Sequence, residues 1–181
     1  MSEPPKTDPM NPLVWPEDKS NDLTPEHYAA IGRVATEWAA LETTIDTASL
    51  RLAKIEPQIG VCLTSQIAGW GRKLDAYIAL TRLFGVTKLI DKLNAFAKDT
   101  HSLAEQRNRI VHDPWIGTSK PHRLEATAKR TVRLEFLHIP TDEVSAISYR
   151  ITQHCVRFEQ LSGQIDSELI ALREKPQPSS P

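Results

Sequence analysis

Cysteine is nearly absent from this chain: Cys62 and Cys155 are the only two among 181 residues. They lie far apart, and neither sits in a C-x-x-C pattern or beside a histidine at ligand spacing, which argues against a disulfide framework and a zinc site. Both are expected to be reduced, buried, small apolar residues. Long hydrophobic runs are missing too. No apolar stretch approaches the roughly 18 residues that span a bilayer, and the N-terminus has no basic region leading into an apolar one, so no membrane segment and a cytoplasmic location are expected. An excess of either charge is lacking: the formal net charge is −1 and the pI about 6.6. The chain as a whole therefore lacks the basic character that drives non-specific nucleic-acid binding, and any such site must be local. No G-x-x-x-x-G-K-S/T, G-x-G-x-x-G or G-x-S-x-G string occurs, which removes support for a P-loop, a dinucleotide fold or an α/β-hydrolase. With 25% charged and 40% hydrophobic residues, the composition is that of a folded protein, and the length suits one domain.

Helix breakers gather at the ends. Pro4, Pro5, Pro9, Pro12 and Pro16 mark residues 1–22 as a flexible tail, with Leu13, Val14 and Trp15 able to dock, and a second tail follows over 175–181. Between them, residues 23–174 carry four seams of apolar residues at alternating three- and four-residue steps. The first begins where Thr24 can cap, Pro25 suits the first turn and Glu26 the positive dipole end, and it runs through Ile31, Val34, Trp38, Leu41, Ile45, Ala48 and Leu52 towards Pro57. The second runs through Leu63, Ile67, Trp70, Leu74, Tyr77, Thr81 and Phe84 to Gly85 as a C′ residue, with Gly69 and Gly71 weakening its middle. The third passes Leu89, Leu93, Phe96, Thr100, Leu103, Arg107 and Ile110, and stops near His112 because Asp113 precedes Pro114. The fourth starts at Thr141-Asp142-Glu143 and continues through Val144, Ile147, Ile151, His154 or Cys155, Phe158, Leu161, Ile165, Leu169 and Leu172. Before it, Leu124, Ala126 and Ala128, then Val132, Leu134 and Phe136, alternate as a β-hairpin would, turning at Lys129 and Arg130. The expected fold is all-α: an antiparallel four-helix bundle with a short β-hairpin insertion before the last helix.

One residue breaks the seams. Arg107 occupies a slot whose neighbours are apolar or small, a costly place for a charge unless it is paired or opens into a cleft. Asn108 and His112 share a face of the same helix end, where the negative dipole end favours a cation. Arginine and histidine together suit phosphodiester cleavage: the guanidinium fork can hold the phosphorane oxygens while imidazole moves protons, and RNA supplies its own 2′-hydroxyl nucleophile. The alternative is structural, with Arg107 paired to Glu105 or Glu42 and His112 closing a helix; Glu37, like Glu42, flanks the first seam. Arg133 and His138 repeat the Arg-x4-His spacing, but inside the predicted strand rather than at a helix end. Basic residues Arg109, Lys120, Arg123, Lys129, Arg130 and Arg133 could extend a phosphate-tracking surface from the motif, or be solvated decoration. His27, His101, His122, His138 and His154 show no i, i+4 ligand pair, so neither metal nor cofactor is expected.

The segment Glu105-Gln106-Arg107-Asn108-Arg109-Ile110-Val111-His112, on the third of four helices, resembles the motif of the HEPN superfamily. The resemblance covers about residues 24–174 in architecture and eight residues in motif. It implies a homodimer whose two motifs face one cleft, and a metal-independent endoribonuclease acting on RNA. His112 would then be the general acid/base, Arg107 the transition-state stabiliser and Asn108 an orienting group. It also implies a toxin or defence role with a neutralising antitoxin or partner protein. A non-catalytic HEPN-like module that binds RNA, a nucleotide or a partner protein stays open beside it, as does a bundle that only assembles.

Overall fold

The computed structural model describes residues 16–18, 20, 22–128 and 132–174, and the side chains of residues 127, 128, 132 and 133 fall outside the description. Most of both expected tails, including Leu13, Val14 and Trp15, and the hairpin turn at Lys129 and Arg130 lie outside the described residues. Within them the chain is mostly helical with a small sheet: α1 (Pro25–Ala53), α2 (Pro57–Thr64), α3 (Trp70–Leu83), α4 (Ile90–His112), β1 (Trp115–Ile116), β2 (His122–Ala128), β3 (Val132–His138) and α5 (Thr141–Glu174). No described helix is long and apolar enough to cross a membrane.

Helix boundaries follow their capping residues. Thr24 Oγ1 accepts the His27 N–H at 3.2 Å and Thr24 C=O accepts that of Tyr28, so α1 starts where Pro25 cannot donate. At the far end of α3, Gly85 (φ 83°) donates to Arg82 C=O and Val86 to Thr81 C=O, the paired bonds of a Schellman stop that needs a left-handed residue.

The expected second helix is instead two. Its seam is broken at Gly69, whose φ of 81° lies outside the helical region and starts α3 afresh at Trp70. After Thr64 the bonds shorten to i→i−3, Gln66 to Leu63 and Ile67 to Thr64, which closes α2. Its side chains stay outside: Ile59, Val61 and Leu63 are exposed, and only Gly60 is buried, against Leu50. This corrects Cys62, which is exposed on α2, and Cys155, which is half-buried with its Sγ 3.4 Å from Thr44 Oγ1.

The chain divides into two compact units, residues 36–104 with 149–181 and residues 1–35 with 105–148. In the first, Trp38, Leu41, Ile45, Leu74, Tyr77, Leu93, Phe96, Ile151, Phe158 and Ile165 form an apolar core. Glu37 and Glu42 are engaged there, accepting from Thr152 Oγ1 at 3.0 Å and Trp38 Nε1 at 3.2 Å. Of the two candidates for the α5 seam, His154 is the buried one. It stacks on Phe96 with centroids 3.9 Å apart, and its Nε2 lies 2.7 Å from Thr100 Oγ1. Since Thr100 donates its own hydrogen to Phe96 C=O, the ring must donate from Nε2.

In the second unit, Leu23, His27, Ala30, Val34, Ile110, Ile116, Val144 and Ile147 are buried around a three-stranded antiparallel sheet ordered β1-β2-β3. β1 was not anticipated, since two residues are too short to show alternation. Leu124 pairs with Phe136 and Ala126 with Leu134, so the anticipated apolar positions do share one face of the hairpin. That face is open, with Leu134 48% exposed, while Arg123 on the other face is 9% exposed. The β1–β2 turn is held from outside the sheet. Asp18 accepts the backbone N–H groups of Ser20, Thr118 and Ser119, which together hold its carboxyl below the usual range.

Burial, and after it the nearby Arg157 cation, pushes the pKa of His154 down to about 4 from 6.5. Above pH 6.5 the ring is neutral folded or unfolded. Below it the unfolded chain takes a proton that the folded ring refuses until about pH 4, so stability falls across that interval, by about 3 kcal/mol in total. Urea unfolding at pH 7 and pH 4.5 should show a smaller loss in His154→Gln than in wild type, and imidazole NMR should show no His154 titration near pH 6.5. A midpoint there would contradict the burial argument.

Candidate active site

The site grows out of the way α4 ends. Pro114 has no N–H to continue the helix and disfavours helical backbone at Asp113, so α4 stops at His112. The carbonyls of a last turn need partners. Asp113 N–H bonds back to Arg109 C=O at 3.2 Å, and Trp115 Nε1 donates to Ile110 C=O at 2.9 Å. The indole thus ties β1 to the helix end. Trp115 also packs edge-to-face with the buried His27 ring, centroids 4.7 Å apart, and His27 Nδ1 sits 3.0 Å from Thr141 Oγ1 at the start of α5. Burial, and then the charge of His138, lowers the His27 pKa.

On this fixed end the three motif residues converge. Arg107 Nη1 lies 2.9 Å from Asn108 Oδ1 and 3.0 Å from His112 Nε2. Both hydrogens of that nitrogen are therefore used within the motif. A guanidinium only donates, so His112 Nε2 must present its lone pair, which fixes the neutral ring as the Nδ1–H tautomer. Arg107 is half-buried, with its Nε buried and without a hydrogen-bond partner, while Asn108 and His112 are exposed. The side-chain bonds of Arg107 thus go to two neutral groups and leave its charge uncompensated by them.

The neighbouring arginines behave differently. Arg109 reaches Asp113 at 3.5 Å and Glu125 at 3.6 Å, while Arg123 reaches Glu125 at 2.9 Å and Asp113 at 3.5 Å. Two cations and two carboxylates close a square of zero net charge between the helix end and β2. Arg109 and Arg123 are thereby engaged in neutralising carboxylates rather than standing free for phosphates, and Arg123 is buried as well. Lys120 is exposed, in the turn before β2. The repeated spacing at Arg133 and His138 falls on β3 rather than within a helix.

Asp113 and Trp115 were missed by sequence reasoning as parts of this site. An i, i+4 pair of Arg109 and Asp113 could be read from spacing, but the link to β2 depends on strand register. Among the described residues no group of three or more His, Cys, Asp or Glu could hold a metal. Three grooves of about 560, 370 and 670 Å³ are all lined by residues other than Arg107, Asn108 and His112. Asn108 and His112 lie exposed at this helix end.

Removing Glu125 leaves the buried Arg123 with Asp113 alone, at 3.5 Å. Glu125→Ala should therefore cost about 3 kcal/mol in urea unfolding, the scale of breaking a buried pair from one side, and Arg123→Met clearly less. Equal costs would show that the square is held by packing and not by charge.

Compared with known proteins, the chain matches no protein-family model, no curated protein and no solved structure.

Proposed function

We propose that the chain is a metal-independent endoribonuclease of HEPN type, acting through Arg107, Asn108 and His112. The observation that carries this reading is the 3.0 Å approach of Arg107 Nη1 to His112 Nε2, with Asn108 completing the set. An arginine in this position holds its charge against neutral partners, which favours an anion at the site. A phosphodiester entering there would draw the guanidinium onto its non-bridging oxygens and free the imidazole lone pair. His112 Nε2 then takes the proton from the 2′-hydroxyl as O2′ bonds to phosphorus, and as the P–O5′ bond breaks the His112 imidazolium returns that proton to the departing O5′, leaving a 2′,3′-cyclic phosphate and a 5′-hydroxyl. The planar fork stabilises the phosphorane's negative charge, while Asn108 keeps Arg107 aimed.

The arrangement belonging to this reading is an antiparallel four-helix bundle in which α2 and α3 together take the place of the second helix and the sheet is inserted before α5. A cytoplasmic homodimer goes with it. An open helix end supplies one wall for a substrate, and a two-fold axis near the α4 ends would supply the second wall with a second motif. A toxin or defence role with a neutralising partner protein fits the same chemistry.

The non-catalytic reading, a module binding RNA, a nucleotide or a partner, has an observation of its own. The neutral square of Arg109, Asp113, Arg123 and Glu125 removes two of the cations expected to track phosphates, which within that reading favours a nucleotide or a partner protein over a long RNA.

Incubation with total RNA in excess EDTA separates the two. Cleavage should proceed, give 2′,3′-cyclic phosphate ends and spare DNA. His112→Ala should lower it roughly 10²-fold or more, and Arg107→Lys should also fail, because a point charge cannot replace the fork. Binding without cleavage by the wild type would favour the module, and retained cleavage in His112→Ala would refute the mechanism.

A further inference from the structure

We infer that His122 and His138, which face each other across β2 and β3, form a two-histidine site for a borderline-soft divalent cation such as Zn²⁺. The two are register partners, and the neighbouring pair is bonded from Ile139 N–H to Pro121 C=O at 3.1 Å. Bonded and non-bonded pairs alternate in an antiparallel ladder, so 122 and 138 occupy a non-bonded position, where side chains stand closest, with Cα atoms about 4.5 Å apart.

Each ring is anchored through the same nitrogen. His122 Nδ1 lies 2.7 Å from Lys120 C=O, and His138 Nδ1 lies 3.0 Å from Pro121 C=O. A carbonyl only accepts, so both Nδ1 atoms carry hydrogen and both neutral rings keep their lone pair on Nε2. This is the outer-shell arrangement of metal-binding histidines, with the far nitrogen tied to a backbone oxygen and the ring's orientation fixed in advance.

The spacing agrees. With Zn–N bonds of about 2.0–2.1 Å and a tetrahedral angle, two imidazoles bound through Nε2 have their centroids about 5 Å apart. The observed separation is 5.3 Å with the rings tilted by 47°. His138 is exposed and His122 half-exposed, so a cation can reach them. His27 is not a third ligand: it is 1% exposed, with its Nδ1 on Thr141. As no described group of three donors converges, water fills the remaining positions. Imidazole ligands select Zn²⁺, Ni²⁺ or Cu²⁺ over Mg²⁺ or Ca²⁺, which want oxygen. The cation would pin the two strands together at the end away from the turn, where β3 leads into α5. It plays no part in the cleavage proposed above.

The test is calorimetric titration of the full chain with ZnCl₂ at pH 7.5, beside long-range ¹H–¹⁵N spectra of the histidines. One site per chain is expected, weakened at least tenfold in His122→Ala and in His138→Ala but not in His101→Ala, and absent for MgCl₂. Zn²⁺ should shift the Nε2 resonances of both His122 and His138 in the wild type. Unmoved Nε2 resonances, a measurement that needs no variant to fold, or a site that survives in the double variant would overturn the inference.

Discussion

Pro114 sets the constraint from which the site follows. Because it cannot extend α4, the chain leaves the helix at Asp113, and the last turn must find partners for its carbonyls outside the helix. Trp115 supplies one, and in doing so places β1 against the helix end. β2 then pairs with β1 in a register that sets Trp115 opposite Arg123 and Ile116 opposite His122, which brings Arg123 and Glu125 up to Arg109 and Asp113. A helix stop one turn later would move Asp113 away from Arg123 and leave the ion pairs to β2 unmade.

Charge is then sorted within a few residues of helix. Arg109 takes Asp113 and Glu125, and Arg123 takes the same two carboxylates from the other side. Arg107 bonds instead to an amide oxygen and an imidazole nitrogen. The result is a guanidinium whose hydrogen bonds go to neutral groups, beside a neutral ion square. The chain's net charge of −1 supplies no overall basic field, so the electrostatics of this helix end are local.

Much of this was legible in the sequence wherever a boundary residue acts locally. Thr24-Pro25, Asp113-Pro114 and Thr141 mark helix ends because capping and proline geometry need only neighbours, and the 122–138 hairpin follows from its alternation. The convergence of Arg107, Asn108 and His112 was also readable, being set by helical spacing. What failed was either a compromise between local signals or a product of register. The apolar seam ran on across Gly69, yet the left-handed backbone there cuts the helix and leaves Leu63 and Cys62 exposed. The ion square and the His122–His138 pair join residues from separate elements, and only the strand pairing brings them together.

The account rests on His112 presenting its Nε2 lone pair to Arg107. Long-range ¹H–¹⁵N NMR of the free protein tests this most directly, followed by addition of an uncleavable RNA whose 2′-hydroxyls are replaced by hydrogen. The account predicts a neutral His112 protonated on Nδ1, with its Nε2 and the Arg107 Nη resonances moving together when the analogue binds. A His112 protonated on Nε2, or an Arg107 that does not respond to the analogue, would contradict it.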